Sequence, residues 1–168
     1  EELIEYGISE SQKGKKVSVT DNDGKATEYS AEHIIIATGA RSRELPNIPQ
    51  DGVKVIGYRQ ALSLPEQPKS MIIVGSGAIG VEFADFYNTM GTKVTVVEFM
   101  PNIVPVEDEE VSKHVEKSLK KSGIEIMTNA SVESIDTSGN GVKAIVKTAS
   151  GNVTLEADML LSAVGISA

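Results

Sequence analysis

Three glycines, Gly75, Gly77 and Gly80, stand at the spacing G-x-G-x-x-G, and an acid, Glu98, follows 21 residues after Gly77. An apolar run, Met71 to Val74, leads into the first glycine. A helix-period segment closed by Gly91 and a β-branched run, Val94 to Val97, lead from the last glycine to the acid. Each glycine has its own physical task. Gly75 permits a tight turn that a side chain would obstruct. Gly77 lets the backbone approach a pyrophosphate, and Gly80 lets the helix pack against the strand. The helix then turns unpaired N–H groups and the positive end of its dipole toward phosphates. Strand, glycine turn, helix, strand and acid, in that order, form a dinucleotide-binding pattern.

Glu98 is placed to accept hydrogen bonds from the adenosine ribose hydroxyls. A carboxylate there repels a 2′-phosphate, and no arginine lies within several residues after it. NAD is therefore expected rather than NADP.

The elements that must position these groups are legible in outline. Val17 to Thr20 and Ala26 to Ser30 alternate around the turn Asp21-Asn22-Asp23-Gly24, which predicts a hairpin. Ile34 to Ala37 reads as a buried strand ending at Thr38-Gly39. Residues 41–69 hold four of the six prolines and are expected to be a linker with little regular structure. In the helix after the glycines, Ile79, Phe83, Phe86, Tyr87 and Met90 predict one buried face. A second helix is expected over residues 107–123. Its acids crowd the start and its lysines the end, and Val111, Val115 and Leu119 mark the buried face. A third strand, Ile124 to Met127, completes a parallel β-α-β-α-β unit. Three short strands follow, at Val132–Ile135, Val142–Thr148 and Val153–Glu156, and then a buried strand, Met159 to Ala163, ending at Val164-Gly165.

The two ends of the chain resemble each other. KVSVTDNDGKATEYSAEHIIIATG and KAIVKTASGNVTLEADMLLSAVG are both strand, glycine turn, strand and apolar strand ending in A-x-G. The second copy closes a nucleotide-binding unit. The first is expected to close another one, whose main part would lie upstream of Glu1, so the chain is expected to be a fragment.

Composition narrows the function classes. The net charge of −8 argues against nucleic acid or anionic membrane as a partner. No apolar run approaches membrane-spanning length. The absence of cysteine excludes thiol chemistry and thiolate–metal sites on these residues, and two histidines are too few for a metal site. The expected location is cytoplasmic. No catalytic constellation stands out.

The segments IIIATGARSRELP and PKSMIIVGSGAIGVEFADFYNTMGTKVTVVE resemble the pyridine nucleotide–disulfide oxidoreductases. VPVEDEEV, after Glu98, is similar to the dihydrolipoamide dehydrogenases within that family. The resemblance implies an α/β fold of the FAD/NAD(P)-binding domain type: a Rossmann-like parallel sheet with a three-stranded β-meander, preceded by a β segment from the tail of a second such domain. It implies residues 1–40 as the end of an FAD-binding domain, 41–69 as the linker and 70–168 as the NAD-binding domain. It further implies that Gly75, Ser76, Gly77, Ala78, Ile79, Gly80, Val81 and Glu82 hold NAD, with Glu82 near the nicotinamide and paired with a lysine of the flavin domain. Glu98 would bind the ribose, Val132 would flank the adenine, and Gly165 would touch the nicotinamide half. Thr38 and Gly39 would touch FAD. The implied parent is a homodimer that takes electrons from dihydrolipoamide on the lipoyl domains of 2-oxo acid dehydrogenase complexes; the alternatives are another flavin reductase of the family, such as an NADH oxidase or mercuric reductase, and a stand-alone NAD-binding module without catalysis. The family's first glycine motif, its redox cysteine pair and its histidine–glutamate pair are not in this sequence. The fragment alone is therefore expected to be inactive.

Overall fold

Alternating residues on either side of an Asp-rich turn make a hairpin, and the structure, a computed structural model, builds one. It describes residues 5–11 and 14–167. The chain divides into two units, residues 1–39 and 40–168. In the first, β1 (Glu5–Ser11), β2 (Gly14–Thr20) and β3 (Ala26–Ala31) form an antiparallel sheet in that order. Asp21 Oδ1 accepts the amides of Asp23 and Lys25, and Gly24 adopts φ +79°, which together make the β2–β3 turn. The expected buried strand at residues 34–37 does not form, and Ile35 and Ile36 are exposed. A strand needs a neighbour for its N–H and C=O groups. Among the described residues, none flanks this run.

In the second unit the elements run β4 (Arg41–Ser42), β5 (Val55–Ile56), α1 (Tyr58–Ala61), β6 (Ser70–Val74), α2 (Ala78–Thr89), β7 (Lys93–Val97), α3 (Glu109–Lys121) and β8 (Glu125–Met127). Then come β9 (Ser131–Asp136), β10 (Val142–Thr148), β11 (Gly151–Ala157), β12 (Met159–Ser162) and β13 (Ile166–Ser167). Five strands form a parallel sheet in the order β5-β12-β6-β7-β8. The antiparallel meander β11-β10-β9 is the second sheet, and β13 pairs with β4.

The parallel strands are apolar at nearly every position because both faces are covered. Met71, Ile73, Val94, Val96 and Leu161 face one core with Ala84, Tyr87 and Leu119 from α2 and α3. Ile72, Val74, Val97 and Leu160 face the other with Val132, Val142, Ala144 and Val146 from the meander. Each such valine, leucine, isoleucine or methionine side chain, fully buried, contributes about 1.5–3 kcal/mol.

Segment 41–69 has only short elements, yet it is part of these cores. Ile48, Val55, Ile56 and Ala61 are buried, and β5 forms an edge of the main sheet. The helix faces also differ from expectation. In α2 the buried residues are Gly80, Ala84 and Tyr87, while Phe86 and Met90 are more than half exposed. Tyr87 is buried as expected and Phe83 packs against the same core, but at the start of the helix the close approach to the glycine turn leaves room only for Gly80. In α3, Ser112 and Leu119 are buried and Val115 packs beside them, whereas Val111 is exposed. Asp108 caps α3 by accepting the Glu110 amide, and the pairs Glu109–Lys113 and Glu116–Lys120 form along it.

Candidate nucleotide cleft

Parallel strands bring their carboxyl ends to one edge, and in open α/β sheets ligands bind there. At that edge β6 runs into the glycine turn, β7 into Glu98, and β12 into Ala163–Gly165. With the start of β9 and the loop at Leu45–Ile48, these segments enclose a cleft of about 750 Å³.

The glycine turn is built by backbone contacts. Gly75 adopts φ +97°, and its amide donates to the Val97 carbonyl at 2.9 Å. A Cβ on Gly75 would lie 2.5 Å from the Ala163 carbonyl oxygen, and one on Gly80 would overlap the Gly75 carbonyl. Gly77 is different. It has φ −64°, and a Cβ there would have no neighbour within 4 Å. Gly77 is also the N-cap of α2 and has no side chain to cap the first-turn amides. The positive end of α2 thus borders open space, the arrangement that suits a phosphate.

Glu98 is buried, with 6% exposure. Its Oε2 accepts from the Ser76 amide at 2.8 Å and from Ser76 Oγ at 2.6 Å, and its Oε1 accepts from the Met100 amide at 2.7 Å. Ser76 is fully buried, and its carbonyl accepts from the Val104 amide at 2.9 Å. Val104 adopts φ +40°, a conformation that a β-branched residue takes only when its surroundings impose it. The Val104 carbonyl receives the Glu107 amide and Ser112 Oγ, which tie this loop to α3.

The far wall comes from distant parts of the chain. Val132 is buried and lines the cleft, and its carbonyl accepts from Asn47 Nδ2, which also reaches the Glu133 carbonyl. Gly165, at φ +106°, lies on the rim.

The cleft brings together eight of the residues singled out in the sequence: Gly75, Ser76, Gly77, Ala78, Ile79, Glu98, Val132 and Gly165. Gly80 is buried beneath the turn, and Val81 packs against the helix-side core. Glu82 is exposed and lines a second hollow of about 380 Å³ with Tyr58, Leu62, Phe83 and Phe86. Ile79 lines both hollows. Thr38 and Gly39 belong to the N-terminal unit. Leu45, Asn47, Phe99 and Pro105 line the cleft without having been anticipated. Asn47 is 85 residues from Val132, so no local spacing signals their contact.

The family model described as pyridine nucleotide-disulphide oxidoreductase matches residues 3–168. The chain is 50% identical over 139 residues to a dihydrolipoyl dehydrogenase of Rhizobium etli, covering 82% of this chain and 29% of that protein. It is 46% identical over 154 residues to a dihydrolipoyl dehydrogenase of Chlorobaculum tepidum, covering 91% and 33%. The chain spans about a third of the length of these curated relatives. Among solved structures it is similar to LpdA of Mycobacterium tuberculosis, with a TM-score of 0.79 and 31% identity over 98% of this chain and 36% of that one.

Proposed function

Because this chain belongs to the pyridine nucleotide–disulphide oxidoreductase family, whose members use FAD and NAD(P), we propose that its second unit is the NAD-binding domain of a dihydrolipoyl dehydrogenase. Residues 1–40 are then the closing segment of the FAD-binding domain, 41–69 a connector and 70–168 the NAD-binding domain. The single observation that carries this reading is the cleft itself, where the glycine turn, the open first turn of α2, Glu98, Val132 and Gly165 meet.

The residues present fit the group. The space over Gly77 admits a pyrophosphate that any side chain there would displace, and the uncapped amides of α2 donate to it. Glu98 accepts from the ribose hydroxyls and repels a 2′-phosphate. Val132 flanks the adenine, and Gly165, with no side chain, leaves room at the nicotinamide half. Ile79 lies between the two hollows and directs the nicotinamide end toward Glu82. Glu82 pairs with a lysine elsewhere in the protein, and Thr38 and Gly39 touch FAD. Bound NAD would supply the acceptor for hydride from reduced flavin, while the protein supplies orientation and electrostatics. The electrons would come from dihydrolipoamide carried on the lipoyl domains of 2-oxo acid dehydrogenase complexes, in a cytoplasmic homodimer. The similarity to dihydrolipoyl dehydrogenases at 42–50% identity supports this substrate over those of other family reductases.

Fluorescence titration with NADH tests the reading. Saturable binding is expected, with NADPH weaker. No binding of NADH, or NADPH binding as tightly, overturns it.

A further inference from the structure

The Glu98 carboxylate is held asymmetrically. Two carboxylate oxygens offer about four acceptor sites. Oε2 receives two donors, both from Ser76, and Oε1 receives one, from Met100. Two of the three donors are main-chain amides that come with the fold. The third, Ser76 Oγ, depends on the residue chosen at that position. Ser76 has no exposure, and its carbonyl is fixed by the Val104 amide, so the hydroxyl has no solvent to turn toward. Glu98 lines the cleft and keeps 6% exposure.

We infer that Ser76 is a positioning residue for nucleotide choice: its hydroxyl occupies Oε2 and so directs the open site of Oε1 into the cleft. The inference rests on the NAD reading above. A ribose with free 2′ and 3′ hydroxyls donates to Oε1, which is already oriented and needs no ordering on binding. A 2′-phosphate meets a carboxylate that cannot rotate away, because Oε2 is tied on two sides. Ser76 thus acts through Glu98 and need not touch the nucleotide.

The test compares dissociation constants for NADH and NADPH on the full chain, with thermal unfolding as the control for folding. Ser76→Ala is expected to weaken NADH about tenfold, the scale of one hydrogen bond to a charged group. NADPH should change by less than about twofold, so that the preference falls about tenfold. In a Glu98→Ala background the same change should have almost no further effect. Ser76→Cys stays close in shape, slightly larger, and keeps a weak donor. Its preference should lie between those of the alanine variant and the natural chain, and it carries the test if the alanine variant does not fold. If Glu98→Ala abolishes the preference while both Ser76 variants keep it, the positioning role is wrong and the NAD reading stands. If Ser76→Ala weakens both nucleotides equally, its role is structural and the inference fails. If Glu98→Ala leaves the preference intact, the reading beneath the inference fails with it.

Discussion

The Gly75 carbonyl oxygen occupies the space into which a Cβ on Gly80 would project, so the glycine turn and the first turn of α2 meet backbone to backbone. Neither atom belongs to a flexible side chain, so neither can yield cheaply. Gly80→Ala is expected to destabilise the chain by about 2–4 kcal/mol through overpacking. At Gly77 the space is open, and Gly77→Val should change stability by no more than about 1 kcal/mol. It should still weaken NADH at least about tenfold by filling the phosphate position. Thermal unfolding and NADH titration on both variants separate the two roles. Unchanged NADH affinity in Gly77→Val would remove the phosphate from this turn.

Phe99 follows Glu98 and is exposed along the cleft. Removing the carboxylate and adding a guanidinium nearby should suit a 2′-phosphate. The double substitution Glu98→Ala, Phe99→Arg is expected to bind NADPH more tightly than NADH, reversing the order proposed for the natural chain. Competition between the two nucleotides reads the outcome directly.

Asn47 joins the 41–69 segment to β9 through the Val132 and Glu133 carbonyls. Asn47→Ala should lower stability by about 1–2 kcal/mol, since a part-buried carbonyl loses its partner. NADH binding should fall several-fold because that wall of the cleft loosens. A thermal shift without any change in NADH affinity would confine Asn47 to the fold.

Asp51 organises the turn before β5. Its Oδ1 accepts the amides of Val53, Lys54 and Val55. Burial pushes its carboxyl up, but the amides of Val53, Val55 and Lys54 and the charge of Lys54 outweigh that, leaving it below the ordinary aspartate value of 3.8. The ionised form is thus favoured by folding. Its contribution is complete above 3.8 and disappears as pH falls through the lower value of the folded chain. Asp51→Asn should cost about 0.5–1 kcal/mol at pH 7, kept small because the residue is exposed to solvent. Denaturant unfolding at pH 7 and pH 3 should show the gap narrowing at the lower pH. A constant gap would mean the charge is irrelevant.

The glycine spacing, the acid after β7 and the three meander strands were legible because each is a local pattern of period or turn. The buried face of α2 was legible only in part: Tyr87 is buried and Phe83 packs on the core, but hydrophobicity ranks Phe86 and Met90 above Gly80 and Ala84. At the first turn the helix comes so close to the glycine turn that only Gly80 fits. The run at Ile34–Ala37 reads as strand by composition, yet strands exist only in pairs, and composition carries no partner. The prolines of 41–69 hid a segment that has little regular structure but places Ile48, Val55 and Ile56 in the cores. Asn47 and Ser76 show the same limit at the cleft. The hydrogen bonds they make are with residues distant in the chain, and spacing within a motif does not encode them.

The pairing of Leu160 with Val55 has a consequence for how the cleft comes into being during synthesis. The ribosome releases β5 well before β12, its one neighbour in the sheet among the described residues. Until β12 emerges, β6 lacks the neighbour on that side, and the glycine turn lacks Ala163, whose carbonyl abuts Gly75. The growing polypeptide therefore carries the complete glycine motif for many residues before it has the cleft. A ligand of the cleft can stabilise these elements only after β12 has emerged.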